Sequence, residues 1–381
     1  MKSARNHSRL IPLDPDDFPV GEPAPYAVFD SNGRLLLSRG QILASRQTGQ
    51  RLFAGGLFRH PGTIRLSGAE SVDFGAVRLD PFEALRVLRR RTQLGLDALL
   101  DGLADAPAFI DQLSMDMNRL LDRAIDPVIG VAHLHGGGHG AAAHQLFSGL
   151  FSNLLARWLG YAAGQRHSLT CAALTNNVAL MPIQNTINER RGELSEEDRE
   201  RLRRHASDSA DLLRSVGVAD AVWLNVVMQS HERWDGSGYP RGLHGAEIIP
   251  EARALGVVDA YLAMISQRAY RAPLAPPEAL REIYTQGGST DKDICSVFVK
   301  HMGLYPPGSC VRLANGELAV VTARTPDTAL DAQVHAICSA SGSSYAQPIF
   351  RSSDEPGSAI TESVLLRDAD LPDPRLFWQA H

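Results

Sequence analysis

The side chains best able to do chemistry lie together in Ser230-His231-Glu232-Arg233-Trp234-Asp235-Gly236-Ser237-Gly238-Tyr239-Pro240-Arg241-Gly242. Gly236, Gly238 and Gly242 supply a backbone free to turn, and Pro240 stiffens it. Tyr239 offers a flat stacking face and a hydroxyl. Such a segment suits recognition of a ligand or partner, and equally a loop packed over helices. A second stretch, His133-Leu134-His135-Gly136-Gly137-Gly138-His139, carries three imidazoles, but the glycines between them preset no ligand geometry. A flexible loop is expected there. Arg86, Arg89, Arg90 and Arg91 form a basic cluster, read as a solvated face or partner contact rather than a nucleic-acid site.

The loop belongs to an ordered series: His144, His205, His231-Glu232, Asp235-Gly236-Ser237-Gly238-Tyr239-Pro240, Gly242-Leu243, Gly245, Ile249-Pro250, Ala252-Arg253, Val258-Asp259, Arg268 and Tyr270-Arg271. In this order, residues 140–275 resemble the HD-GYP domain, the branch of the HD phosphohydrolase superfamily that hydrolyses cyclic di-GMP. The resemblance implies a helical bundle presenting histidines and aspartates to a metal cluster. There a bridging carboxylate would hold two cations that lower the pKa of a shared water and neutralise charge on the phosphodiester. His144, His205, His231 and Asp259 stand where the family has ligands, although each could be a satisfied polar core residue. Asp235, Gly238, Tyr239 and Pro240 are expected to bind ligand or partner. Arg268 and Arg271 match positions that face ligand phosphates, and arginine suits bidentate phosphate contact.

Five positions depart from that pattern. Asn176-Asn177 replaces the His-Asp pair that names the superfamily, and an amide supplies neither an imidazole nitrogen nor an anionic bridge. Leu180 stands for a lysine expected near the scissile phosphate, Ser230 for the first histidine of a His-His-Glu element, and Leu262 for a second aspartate. The expectation is therefore a catalytically degenerate HD-GYP protein with no resident cofactor. It would act in bacterial cyclic di-GMP signalling by sensing ligand or touching a protein through the Gly-Tyr-Pro loop. A diguanylate cyclase (GGDEF) domain is the partner that the resemblance suggests. The alternative is an unusual phosphodiesterase in which His144, His205, His231 and Asp259 retain one iron, manganese or zinc ion. A scaffold that binds no nucleotide is the third reading.

These residues need helices to position them. Leu146, Phe147, Leu150, Phe151, Leu154, Leu155 and Trp158 make an apolar stripe over 141–159. Further helices are expected beyond Pro81 and over 108–125. Ser195 with Asp198 resembles a capping box, so the charged run through Arg204 is a solvated helix face. Asn32-Gly33 and Asn315-Gly316 each signal a hairpin, with more strands at 334–338 and 363–366 and a short helix near 44–54. The expected fold is mainly α: an HD-type helical bundle over 81–305, a small mixed α/β module over 1–80 and a β-rich module over 306–381.

Composition adds boundaries. The formal charge of −5 gives no general attraction to DNA or RNA. Cys171, Cys295, Cys310 and Cys338 form no CxxC pair, as expected of reduced thiols in a cytoplasmic protein. No apolar run approaches the ~20 residues needed to span a bilayer, and the first residues are polar, so direct membrane insertion is not expected.

Overall fold

Asp80, Ser195, Asp220 and Asp291 each offer a side-chain oxygen to the N–H groups that open the helix behind them. The computed structural model describes residues 10–13, 18, 20–76, 79–134, 140–182, 195–267, 271–285, 288–324, 332–366 and 373–378. Residues 135–139, Arg268 and Tyr270 lie outside that set.

The chain opens with β1 (Ile11–Pro12), β2 (Val28–Phe29), β3 (Leu35–Leu37), α1 (Arg46–Leu52) and β4 (Phe58–Arg59). Its strands form an antiparallel sheet in the order β1-β4-β2-β3. The Asn32-Gly33 turn joins β2 to β3. Asp30 Oδ1 accepts the N–H groups of Asn32 and Arg34, and Gly33 takes φ +78°.

Helices follow: α2 (Pro81–Leu100), α3 (Ala106–Leu121), α4 (Ile125–Leu134), α5 (Ala141–Trp158), α6 (Ala163–Thr175), α7 (Glu196–Ser215), α8 (Ala221–Gln229), α9 (Pro250–Ile265), α10 (Pro276–Thr285) and α11 (Lys292–Met302). α5 lies deep in the bundle, with Leu146, Leu150, Phe151, Leu154 and Leu155 all buried among neighbouring helices. A second antiparallel sheet, ordered β8-β7-β6-β5-β9, comprises β5 (Cys310–Leu313), β6 (Leu318–Ala323), β7 (Gln333–Cys338), β8 (Ser344–Ser352) and β9 (Ile360–Ser363). α12 (Arg375–Trp378) ends the described chain. The mainly α class holds, with a sheet in each terminal region. No described helix is long and apolar enough to cross a membrane.

Several local expectations change. His133 lies in the last turn of α4, not in a loop, and is buried. Arg91 is no solvated residue: it is buried and paired with Asp116. Arg86 and Arg90 reach back to Glu22 and Glu70, tying the N-terminal segment to α2. The last strand ends at Ser363, and β8 is an additional edge strand. Phe18, Tyr26 and Val28 share one core cluster with Leu85, Leu88 and Leu96, so we propose the division at residue 80 as a change of element type within a joined structure; beyond 305 the second sheet has a core cluster of its own and meets Leu134 of α4 through Val320 and Ile337.

Candidate functional site

Five helical segments deliver the candidate residues. α5 carries His144 and Ser148 one turn apart, α7 carries His205, and α9 carries Asp259. Asn176 caps the C-terminus of α6 and Asn177 follows it. Ser230 caps α8, with His231 next. The end of α6 is fixed from two sides. Thr175 Oγ1 accepts the indole N–H of Trp223 at 2.8 Å, and Ser209 Oγ accepts the N–H of Ala179 at 3.1 Å. The asparagine pair thus sits on backbone pinned to α8 and α7.

The site divides into two clusters. In the first, His205 Nε2 and His231 Nε2 lie 2.8 Å apart, and Asn177 Oδ1 is 3.0 Å from one and 3.2 Å from the other. His205 Nδ1 donates to the Leu202 carbonyl at 2.6 Å, which leaves the Nε2 lone pair directed into the cluster. Burial lowers the pKa of both rings; His231 falls to about 3, with His205, Arg233 and His144 adding to the effect. Both imidazoles are neutral near neutral pH, the form that ligates metal. In the second cluster Asp259 Oδ2 accepts from Asn176 Nδ2 at 3.2 Å, and Oδ1 accepts from Ser148 Oγ at 3.1 Å. His144 Nε2 is 3.9 Å from Asp259 Oδ1. Asn176 Oδ1 is buried without a hydrogen-bond partner among the described residues.

The four residues expected to share one ion do not gather at one point: no three of them bring ligand atoms within 4.8 Å of one another. His205 and His231 instead converge with the oxygen of Asn177. Three edges near 3 Å suit one face of a coordination shell with bonds of about 2.1 Å. The replaced positions are turned away or filled. Ser230 Oγ donates to the Val227 carbonyl at 2.9 Å, and Leu180 and Leu262 are buried, Leu262 within the apolar core. The donor set therefore fits one cation and lacks the anionic bridge that a pair requires.

The Gly-Tyr-Pro loop closes over the first cluster. Tyr239 stacks on His231 with centroids 5.2 Å apart and planes at 16°, and its N–H donates to the His231 carbonyl. The Tyr239-Pro240 peptide is cis. Glu232 accepts the N–H groups of Arg241 at 2.7 Å and Leu243 at 2.9 Å, a clamp that spans 9 and 11 residues of chain and so has no local sequence signal. A Cβ on Gly238 would sit 2.3 Å from Arg233 N and 2.5 Å from Glu232 Cα, so only glycine lets the loop approach its own stem. Asp235 accepts from Ser237 N–H and Oγ, bonds that lower its pKa, and thus shapes the turn. Arg253 lies over Trp234 and pairs with Asp291 at 2.7 Å, bracing the loop from α9. Arg271 donates to the Ala263 carbonyl at 2.5 Å, at the end of that helix.

The model of the HD domain family matches residues 138–294. The chain is 35% identical over 150 residues to "Cyclic di-GMP phosphodiesterase PA4108" of Pseudomonas aeruginosa, a match covering 39% of this chain and 36% of the relative. It is 30% identical over 154 residues to a "Cyclic di-GMP phosphodiesterase" of Thermotoga maritima, covering 40% and 42%. A "3'3'-cGAMP-specific phosphodiesterase 3" of Vibrio cholerae is 29% identical over 139 residues, covering 36% and 30%. The chain thus spans less than half the length of these curated relatives. Among solved structures, a HDG"Y"P protein from Bdellovibrio bacteriovorus aligns with a TM-score of 0.49 and 13% identity, over 76% of this chain and 98% of that one.

Proposed function

We propose, from the premise that residues 138–294 form an HD domain, that this chain works in bacterial cyclic di-GMP signalling by recognising ligand or partner, without rapid hydrolysis. The observation that carries this reading is Asn177: its neutral amide oxygen faces the Nε2 atoms of both His205 and His231. Two adjacent cations need a shared negative charge to offset their repulsion, and an amide has none. The loop, by contrast, keeps a built scaffold: Glu232 clamps it, Gly238 permits its close approach, and Tyr239 covers the paired imidazoles. Relatives named for cyclic dinucleotides make such a nucleotide the ligand to test first. We assign ligand or partner contact to Asp235, Gly238, Tyr239, Pro240, Arg268 and Arg271, with the loop as docking surface. A diguanylate cyclase domain is the partner proposed by analogy.

A second reading rests on the convergence of His205, His231 and Asn177. These residues would hold one divalent ion, which supplies charge stabilisation to a phosphodiester when bound. Calorimetry of the full chain with cyclic di-GMP, paired with chromatographic assay of its linear product in Mn²⁺, separates the readings. Saturable binding weakened by Tyr239→Ala, with no product, supports recognition. Metal-dependent product lost in His231→Ala assigns the chain to hydrolysis instead. Absence of both binding and product defeats nucleotide sensing and hydrolysis alike and leaves contact with a protein partner as what the loop would serve.

A further inference from the structure

A different set of ligand atoms meets between α3 and α6. Asp111 comes from α3, while His167 and Cys171, four residues apart on α6, share one helical face. His167 Nε2 is 3.0 Å from Asp111 Oδ1, and Cys171 Sγ is 3.7 Å from each of those atoms. Among the described residues this is the only group of three histidine, cysteine or carboxylate atoms all within 4.8 Å of one another. A nucleophile relay would use opposite nitrogens of the ring for thiol and acid. Here one nitrogen faces both, so the three atoms surround a common point.

The edges of that triangle identify what fits. A tetrahedral zinc ion, with Zn–S near 2.3 Å and Zn–N and Zn–O near 2.0–2.1 Å, requires sulfur edges of about 3.6 Å and an N···O edge of about 3.3 Å. The observed edges of 3.7, 3.7 and 3.0 Å agree to within about 0.3 Å. The ring's other nitrogen, Nδ1, is 3.1 Å from Ser114 Oγ, an orienting partner of the kind that metal-bound histidines have. Ser114 and Cys171 are buried, whereas the side chains of His167 and Asp111 are 31% and 43% exposed. Ions therefore have a route in from one side.

We propose that Asp111, His167 and Cys171 bind one divalent ion of the zinc class, with the fourth position taken by solvent. Thiolate and imidazole favour zinc over magnesium or calcium. On binding, the sulfur–hydrogen bond breaks, the proton leaves to solvent and the sulfur lone pair goes to the metal. The ion would join α3 to α6 on the helix that ends at Asn176-Asn177. This proposal does not depend on the reading of the HD site, whose ligand-type atoms include no sulfur.

Chelator-stripped full chain is titrated with Co²⁺ and then Zn²⁺. The expected result is a near-ultraviolet sulfur-to-cobalt charge-transfer band saturating at one equivalent and displaced by zinc. The band should vanish in Cys171→Ser, require at least tenfold more cobalt in Asp111→Asn, and persist in a His205→Ala/His231→Ala variant. The exposed Asp111 position serves if Cys171→Ser fails to fold. Cobalt binding without the band, a band surviving in Cys171→Ser, or unchanged affinity in Asp111→Asn overturns the site. In any of those cases the triad is an Asp-His hydrogen bond with a thiol packed behind it.

Discussion

At Asn177 a neutral oxygen lies 3.0 Å and 3.2 Å from two imidazole nitrogens, a position where a carboxylate would add one negative charge. At an effective dielectric near 20, one unit-charge pair 4 Å apart is worth about 4 kcal/mol, more than twice the 1.4 kcal/mol behind a tenfold change. Asn177→Asp is therefore expected to raise Mn²⁺ affinity at least tenfold, read by calorimetry on chelator-stripped protein. Unchanged affinity would mean that these three atoms do not hold a cation. The types of the candidate residues were legible in the sequence, because histidines and acids at family positions can be read from the chain alone. Their pairing was not. Asp259 meets Asn176 and has His144 3.9 Å away, while His205 and His231 meet Asn177. An amide counts as a lost anion in a sequence, yet its oxygen keeps the place and can still face a cation. The Asp111, His167 and Cys171 cluster stayed hidden for a related reason: the acid is 56 residues from the histidine, and only packing of two helices joins them.

At the scale of elements, the loop and the helix ends decide whether those side chains stay in place. Glu232 uses both carboxylate oxygens on backbone N–H groups, those of Arg241 and Leu243. Glu232→Gln keeps the shape but leaves one acceptor oxygen, so one N–H loses its partner at about 1–3 kcal/mol. Hydrogen exchange should then quicken at Arg241 or Leu243 while α5 amides keep their protection. Equal loss of protection in α5 would show that Glu232 supports the bundle rather than the loop. Gly238→Ala is the harsher change, because its Cβ meets backbone atoms that cannot rotate away. An overpacking cost of about 1–3 kcal/mol is expected, measured by denaturant unfolding, with near-wild-type stability as the contrary result. The Asn-Gly hairpins and long helices were legible because their local chemistry and their packing agree. α4 was not: Asp126-Pro127 reads as a break, although proline suits a first helical turn. Gly130 within it reads as another weak point. A Cβ there would strike Trp378 at 2.1 Å, so that glycine admits a residue from the far end of the chain. β8 was equally obscure, since Pro348 lies within it; as an edge strand it can accommodate proline.

Across the whole molecule, both terminal regions are fastened to the bundle through buried polar groups. Arg59 of β4 pairs with Asp97 at 3.2 Å and Asp101 at 2.7 Å on and just beyond α2. Removing one partner of a buried pair strands the other charges, so Arg59→Ala should lower stability by about 3–5 kcal/mol. Denaturant unfolding measures this, and a loss below about 1 kcal/mol would assign the pair no fastening role. At the other end, His133 Nδ1 donates to the Pro307 carbonyl at 2.6 Å, and Nε2 accepts the Tyr261 hydroxyl at 2.8 Å. One ring thereby joins α4, the approach to the second sheet, and α9. Phe151 and Tyr261 pack edge-on against it, and burial lowers its pKa to about 4. The unfolded chain takes up this proton near pH 6.5, whereas the folded protein resists until about 4. Stability from this group is thus full above pH 6.5 and is lost as pH falls through that window, at about 1.4 kcal/mol per pH unit. His205 and His231 titrate in the same direction, so the test is a difference. Unfolding free energies of wild type and His133→Gln should diverge most at pH 7 and draw together by about that amount per unit toward pH 4.5. Parallel pH curves for the two proteins would remove His133 from the acid sensitivity of the fold.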